Sequence, residues 1–483
     1  MGARGATSMV ISKTKRRIFF YISIAMFLLI TPLILLYSKG YAISLKNRDI
    51  IKTGSIFLKS SNEAGLKVYL DGTFYRETSF LSRGALVSDL KPGNHALRIE
   101  KEGFAVWQKT LPVAPERVTE VRNIFLLPDL SKSPASVFIH SASSSLSIIS
   151  LSPDESKIAV REKTKGTVGI VDAGSGATEE TDIHSGKNIL GAAWADDSTR
   201  LLLQEPGDKL FIKNLALQKQ KSVSELPATI RRENADATPN TYDTASAAFD
   251  PSDTSGIFIF DTAGVLSKLP LKISATSTAV SVLENINSYG ISKDSILVLF
   301  KNGFFGKTDL AGKKVVTLGR KGAFISETAM AQMGESDSGD IYFIDASNGL
   351  FLSQKGDIEI EPIDGGVLGA AFSEDGKKLL YWKESELAVV LLDDEQYQPF
   401  RKNGTRIKIP APGERIQKAA WYEKDAEHII VLTQNGLFVS DIDDRGGFFI
   451  KKLIERPIEN FFYSAKNQKL YWGDGSSIYS LPF

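Results

Sequence analysis

Metal-binding and nucleophilic chemistry would have to come from few residues in this chain. Among its 483 residues there is no cysteine, which removes disulfides, thiolate zinc sites, iron–sulfur clusters and cysteine nucleophiles together. Its four histidines, His95, His140, His184 and His428, stand far apart, so a triad or metal site would need them to converge in space. Surface or edge positions are expected for His140, His184 and His428, and a turn or edge position for His95. Gly306-Lys307-Thr308 ends like a phosphate loop, but Lys301 occupies the place of the glycine required five residues before Gly306, and no helix follows. A glycine-turn hairpin is expected there. Asp441-Ile442-Asp443-Asp444-Arg445-Gly446 has the Asp-x-Asp and glycine of a calcium loop, yet Arg445 is a cation at a ligand position and Lys452 replaces the needed glutamate. A solvated turn between strands is the expectation. No Gly-x-Ser-x-Gly elbow occurs, and the nearest string, Ala173-Gly174-Ser175-Gly176, reads as a turn. No catalytic, cofactor-binding or metal-ligating residue is assigned, and no cofactor is expected.

What does recur is aromatic. Trp194, Phe249, Ile291, Met333, Phe372, Trp421 and Phe462 lie 55, 42, 42, 39, 49 and 41 residues apart, near the ~40–45 of four-stranded blades. Around the five aromatic members, a small-residue and aromatic entry leads to a polar turn and then an apolar strand, as in Ala193-Trp194 before Leu201-Leu202-Leu203, whereas the units at Ile291 and Met333 are degenerate copies. Aromatics at such a period are expected to pack between units rather than to cage a ligand. Ser152-Pro153-Asp154-Glu155-Ser156-Lys157-Ile158 and Ser373-Glu374-Asp375-Gly376 carry a turn that resembles the "S-P-D-G" of WD40-like and TolB-type β-propellers. The resemblance implies an all-β propeller over 133–483, with eight blades and seven as the alternative. The last unit stops about one strand short, so Val137-Phe138-Ile139 is expected to pair beside Ser477 to Leu481 and close the ring. The gap of 55 residues is explained by an insertion over 225–246, rich in Ala, Thr, Asn and Asp.

Ahead of the repeats, Asp71-Gly72 separates two β-prone runs and predicts a tight primed turn. Val68-Tyr69-Leu70-Asp71-Gly72, Leu90-Lys91-Pro92-Gly93-Asn94-His95-Ala96-Leu97-Arg98-Ile99 and Lys101-Glu102-Gly103-Phe104-Ala105-Val106-Trp107 resemble, in order, the three motifs of the PEGA domain. Arg76 to Ser79 stand where that family has Gly-x-x-Pro. The resemblance implies a small, non-catalytic β-sandwich over 54–128, of the kind found in surface and envelope proteins.

Between Ile18 and Tyr37 run 20 residues without a charge, and at ~1.5 Å per residue a helix of that length crosses ~30 Å of hydrocarbon. Residues 18–37 are read as a transmembrane helix in the lipid bilayer, and 38–53 as a linker. Arg4, Lys13, Lys15, Arg16 and Arg17 precede the run without an acid, whereas Lys39, Lys46, Arg48 and Lys52 after it are diluted by Asp49. Residues 1–17 are therefore expected to stay cytoplasmic, with the rest of the chain outside. Cleavage after Ala42 is the rival reading.

Lys plus Arg total 58 and Asp plus Glu 57, a formal charge of +1 that offers no basic field for nucleic acid. The expected function is that of an outward-facing envelope protein at the cell membrane. Its propeller would act as a non-catalytic binding or scaffolding module for a protein or cell-envelope polymer. The alternative is a propeller enzyme, a lyase or hydrolase, with its site in the central channel. An inverted topology would make the propeller an intracellular sensor head.

Overall fold

The computed structural model describes residues 13–38, 41–44, 49–130, 137–141, 146–162, 167–180, 189, 191–205, 209–215, 223–225, 231–232, 244–253, 256–270, 278–320, 332–357, 359–422, 425–475 and 477–483. His184 and most of the insertion expected over 225–246 lie outside the described residues. The described chain is all-β apart from one helix, Lys13–Ser38. That helix opens on Lys13, Lys15, Arg16 and Arg17 and contains Pro32. Among the described residues no helix is long and apolar enough to cross a membrane. The uncharged run of the sequence continues beyond Leu35, the last of its side chains to be described.

Two compact units are present: one of residues 1–102, 106–126 and 445–447, the other of 103–105, 127–444 and 448–483. In the first, two sheets form the expected sandwich. Gly54–Ser60 lies between Gly84–Leu90 and Val118–Ile124, while the second sheet runs in the order Thr73–Glu77, Lys67–Leu70, Gly93–Glu100, Trp107–Val113. Side chains alternate between faces along a strand, so Trp107, Leu111 and Val113 go inward while Gln108, Thr110 and Pro112 face water. Val68, Leu97 and Ile99 of the same sheet and Ile56 and Leu58 of the other are fully buried with them, each contributing about 1.5–3 kcal/mol. Asp71 (φ 48°) and Gly72 (φ 83°) both take positive φ, the signature of the primed turn expected between Lys67–Leu70 and Thr73–Glu77.

The second unit is built of antiparallel four-stranded sheets that follow one another along the chain, the third of them with Arg231–Arg232 added in parallel to Thr278–Leu283. Eight such units occur among the described residues, spanning 146–180, 191–225, 244–283, 286–320, 332–364, 369–410, 416–454 and 460–482, numbered here blades 1 to 8. The outer strands of blades 4 and 5 touch through a short parallel pairing, Gly319↔Glu359 and Arg320↔Ile360. Middle strands are buried on both faces, because each blade is covered by a neighbour on either side. His428–Thr433 and Gly436–Asp441 are buried at every position, which explains why their sequences run apolar without alternation.

Successive blades share cores. Phe249 and Ile257 of blade 3 pack with Leu202 and Leu210 of blade 2, and Trp421 of blade 7 packs with Leu380 and Trp382 of blade 6. The recurring aromatics are inter-blade packing, as their period predicts. Packing within a blade is equally close: Gly369 pairs across strands with Trp382 in blade 6, and a Cβ there would overlap the indole. The ring closes as expected, with Val137–Ser141 antiparallel to Ser477–Pro482 (Val137↔Ser480, Phe138↔Tyr479, His140↔Ile478). At the same seam, Tyr471 and Ile478 of blade 8 share a core with Ile158 and Val171 of blade 1.

Candidate functional site

Most of the acidic residues that might do chemistry are turn builders. In blade 1 the Ser152 hydroxyl donates to Asp154 Oδ1 at 2.7 Å and accepts the Lys157 N–H at 2.9 Å. In blade 6 the Ser373 hydroxyl does the same with Asp375 (2.6 Å) and Lys378 (3.0 Å). Partial burial opposes the charge of Asp154, yet hydrogen bonds from Ser152 and Ser156 outweigh it and hold the carboxyl far below the usual range. The turns also join neighbours: the Asp154 N–H donates to Ser198 Oγ at 2.9 Å, and Asn467 Nδ2 to the Glu155 carbonyl at 2.8 Å.

The phosphate-loop-like string is the hairpin expected of it, with Gly303 at φ 77° between Ser295–Phe300 and Phe305–Asp309. The calcium-like string needs one correction. Asp441 ends a middle strand and is buried rather than solvated, because its Oδ1 accepts the Phe449 N–H (2.8 Å) that closes the loop. Among the described residues no group of three or more His, Asp and Glu could hold a metal ion.

Histidine placement departs further from expectation. His95 is neither in a turn nor on an edge strand: it is the third residue of Gly93–Glu100, an inner strand of its sheet, and its Nδ1 lies 2.7 Å from Asp71 Oδ2 and its Nε2 2.7 Å from the Lys91 carbonyl. Both acceptors can take an N–H, so the arrangement favours the charged ring, whose pKa is raised because the effect of burial is outweighed by the Lys91 carbonyl and the Asp71 carboxylate. His140 lies on the outermost strand of blade 8. His428 is not at a surface or an edge: it is 1% exposed, with Nδ1 2.8 Å from Asp425 Oδ2. Blade 8 covers that end of the strand, where Tyr422 packs against Tyr463 with ring centroids 4.9 Å apart and the rings tilted by 54°. Lys418, on the innermost strand of blade 7, is pushed down to about 8 by burial. Its Nζ donates to Asn460 Oδ1 (2.9 Å) and to the Phe461 carbonyl (3.0 Å), so it ties blade 7 to blade 8.

A different place offers open chemistry. The turns joining first to second and third to fourth strands emerge at the same end of a meander, and at that end a cleft of about 280 Å3 opens between blades 5 and 6. Ser338, Asp340, Gln354 and Lys355 of blade 5 face Gly376, Lys377, Leu392, Asp393 and Asn403 of blade 6 across it. Asp340 is anchored by the Lys355 N–H (2.9 Å) and the Ser336 hydroxyl (3.1 Å), and Gln354 Nε2 donates to Asn403 Oδ1 at 3.1 Å. Lys377 Nζ lies 3.8 Å from Asp393.

Residues 392–405 form one wall of this cleft and then project beyond it. The Glu395 N–H donates to the Arg401 carbonyl (2.9 Å), Lys402 pairs with Asp394 (2.6 Å), and the Gly404 N–H donates to the Leu391 carbonyl (2.8 Å). Arg401, its side chain only 10% exposed, reaches Asp444 Oδ1 (2.6 Å) and the Ile442 carbonyl (3.2 Å) of blade 7. On this braced loop Tyr397 is 58% and Phe400 72% exposed. None of these residues belongs to a recognisable sequence motif. The available signal was the step of 49 residues from Phe372 to Trp421, longer than its neighbours.

Residues 54–125 match the PEGA domain family. No curated protein sequence matches the chain. Among solved structures, the C-terminal WD40 domain of Sif2 is similar at 14% identity, covering 72% of this chain and 99% of that one, with a TM-score of 0.49. The β-propeller domain of Cps50 (Swd1) from Myceliophteria thermophila is similar at 11% identity, covering 72% and 99%, with a TM-score of 0.41. The dihydro-heme d1 dehydrogenase NirN, in complex with DHE, is similar at 14% identity, covering 65% and 68%, with a TM-score of 0.47. The propeller itself rests on its strand order, its shared cores and its closing strand.

Proposed function

We propose that the chain is a membrane-anchored, outward-facing envelope protein whose propeller binds a protein or cell-envelope polymer without catalysis. The observation that carries this reading is the loop 392–405, which is tied down through the largely buried Arg401 and its pairing with Asp444 yet presents two large aromatics to solvent. Exposed aromatics on a braced loop whose two ends line a cleft are what a binding surface needs, since they bury large area at small entropic cost. Changing Tyr397 and Phe400 together to alanine is expected to lower retention on washed cell-envelope fragments about tenfold. Unchanged retention would overturn the reading.

Anchoring is supported by the helix Lys13–Ser38, on which Ile18, Phe19, Phe20, Phe27, Leu28 and Leu29 are each more than half exposed. A helix apolar all round is stable only inside another apolar phase. The basic residues before it favour a cytoplasmic N-terminus. The chain should resist extraction from membranes by alkaline carbonate, and protease added to intact spheroplasts should digest the propeller. Release by carbonate sinks the anchor, and full protection from protease sinks the topology.

A further inference from the structure

We propose that the cleft between blades 5 and 6, with Tyr397 and Phe400, is a carbohydrate site that takes one sugar unit of a neutral, hydroxyl-rich glycan. The proposal rests on the binding reading above and names the ligand class of that site. Three observations converge. At about 280 Å3 the cleft falls just below the ~300–1,000 Å3 of small-molecule pockets. It suits a single ring rather than a peptide side of macromolecular size.

Its lining is polar and balanced. Two carboxylates, Asp340 and Asp393, meet two ammonium groups, Lys355 and Lys377, with the amides of Gln354 and Asn403 and the hydroxyl of Ser338 among them. Such a surface selects neither anions nor cations. An isolated ion would face one repelling charge for each attracting one. A sugar hydroxyl donates and accepts at once, so it can take a proton donor from an amide NH2 or a lysine while donating to a carboxylate oxygen. The site is prearranged for this: Asp340 is fixed by the Lys355 N–H and Ser336, and Gln354 is fixed by Asn403. Binding then costs little ordering of the protein.

The third observation is aromatic. Leu392, Asp393 and Asn403, the two ends of the loop, line the cleft, while its middle carries Tyr397 and Phe400 at 58% and 72% exposure. A pyranose has polar edges and a C–H face, which matches polar groups with flat rings on one loop. An apolar peptide would use the rings and leave the charged cleft empty.

The test uses the full chain in detergent micelles, titrated with chitotetraose, cellotetraose and maltotetraose by calorimetry and saturation-transfer NMR. Binding of at least one is expected, with sugar ring protons receiving saturation from aromatic protons. Phe400→Ala and Asp393→Asn should each weaken it about tenfold, and Phe400→Tyr should keep it. No binding of any of the three at millimolar concentration overturns the proposal, as does binding that neither variant alters. If envelope fragments are still retained through Tyr397 and Phe400 while no oligosaccharide binds, the carbohydrate assignment fails and the binding module stands. If neither is retained, both fail.

Discussion

The sandwich and the propeller each join one aspartate to one histidine, and they do so at opposite depths. In the sandwich, Asp71 and His95 are 24 residues apart in sequence and meet at 2.7 Å with side chains 51% and 15% exposed. In the propeller, Asp425 and His428 are three residues apart and meet at 2.8 Å with side chains 9% and 1% exposed. The first pair closes a long loop within reach of water. The second sits inside a local turn with no water to fall back on. Burial sets what such a pair is worth, because a buried charge that loses its partner cannot be rehydrated.

The units also differ in how they are completed, and this predicts the largest effect. The sandwich is assembled from strands between residues 54 and 124, whereas blade 8 needs Val137–Ser141 from the far end of the array. Deleting 137–141 from the full chain should abolish the propeller's calorimetric transition, since the loss exceeds the typical ~5–15 kcal/mol margin of a domain. The sandwich transition should persist. Two unchanged transitions would show that closure does not depend on that strand.

Next in size are the two aspartates. Asp425→Ala should destabilise the propeller by about 3–5 kcal/mol in urea titrations, because it strands a buried imidazole. Asp71→Ala should cost the sandwich about 1 kcal/mol, the range of a solvent-accessible pair. Equal losses would break the comparison.

The smallest effect is in pH dependence. Burial opposes the charge of His95, but the Lys91 carbonyl and then the Asp71 carboxylate outweigh it, raising its pKa. Asp71 is lowered, chiefly by the hydrogen bond from His95. A raised histidine contributes stability that is full below its unfolded value of ~6.5 and disappears as pH climbs through the folded value. A lowered aspartate contributes above its unfolded value of ~3.9 and loses that contribution as pH falls through the folded one. The pair should therefore help the sandwich most between mildly acidic and neutral pH, and His95→Gln should flatten the alkaline side of its stability profile. Imidazole proton shifts in NMR check the sign: His95 titrating below ~6.5 would refute it.

Local and periodic features were legible in the residues. Asp71-Gly72 announces its turn because only a residue without a side chain sits freely at φ 83°. Runs such as Ile429-Ile430-Val431-Leu432 announce middle strands, and the aromatic period announces blades. The short last unit and the unpartnered Val137-Phe138-Ile139 together disclosed how the ring shuts. His428 was misjudged because a lone histidine carries no local mark of depth. Its burial depends on Tyr463 and Phe483, which close over Tyr422 from the next blade.

Sequence alone thus determined the order of units, the turns and the closing strand, since each depends on chain-local sterics or on a repeat that any stretch of the chain displays. Only the tertiary structure decided the clasp of Asp71 on His95, the depth of His428, and the cleft with its aromatic loop. Each of these joins segments from different strands or blades: Arg401 holds the loop by reaching Asp444, and the cleft exists only where blade 5 faces blade 6. Contacts across such distances are fixed by packing the whole ring, and no window of neighbouring residues encodes them.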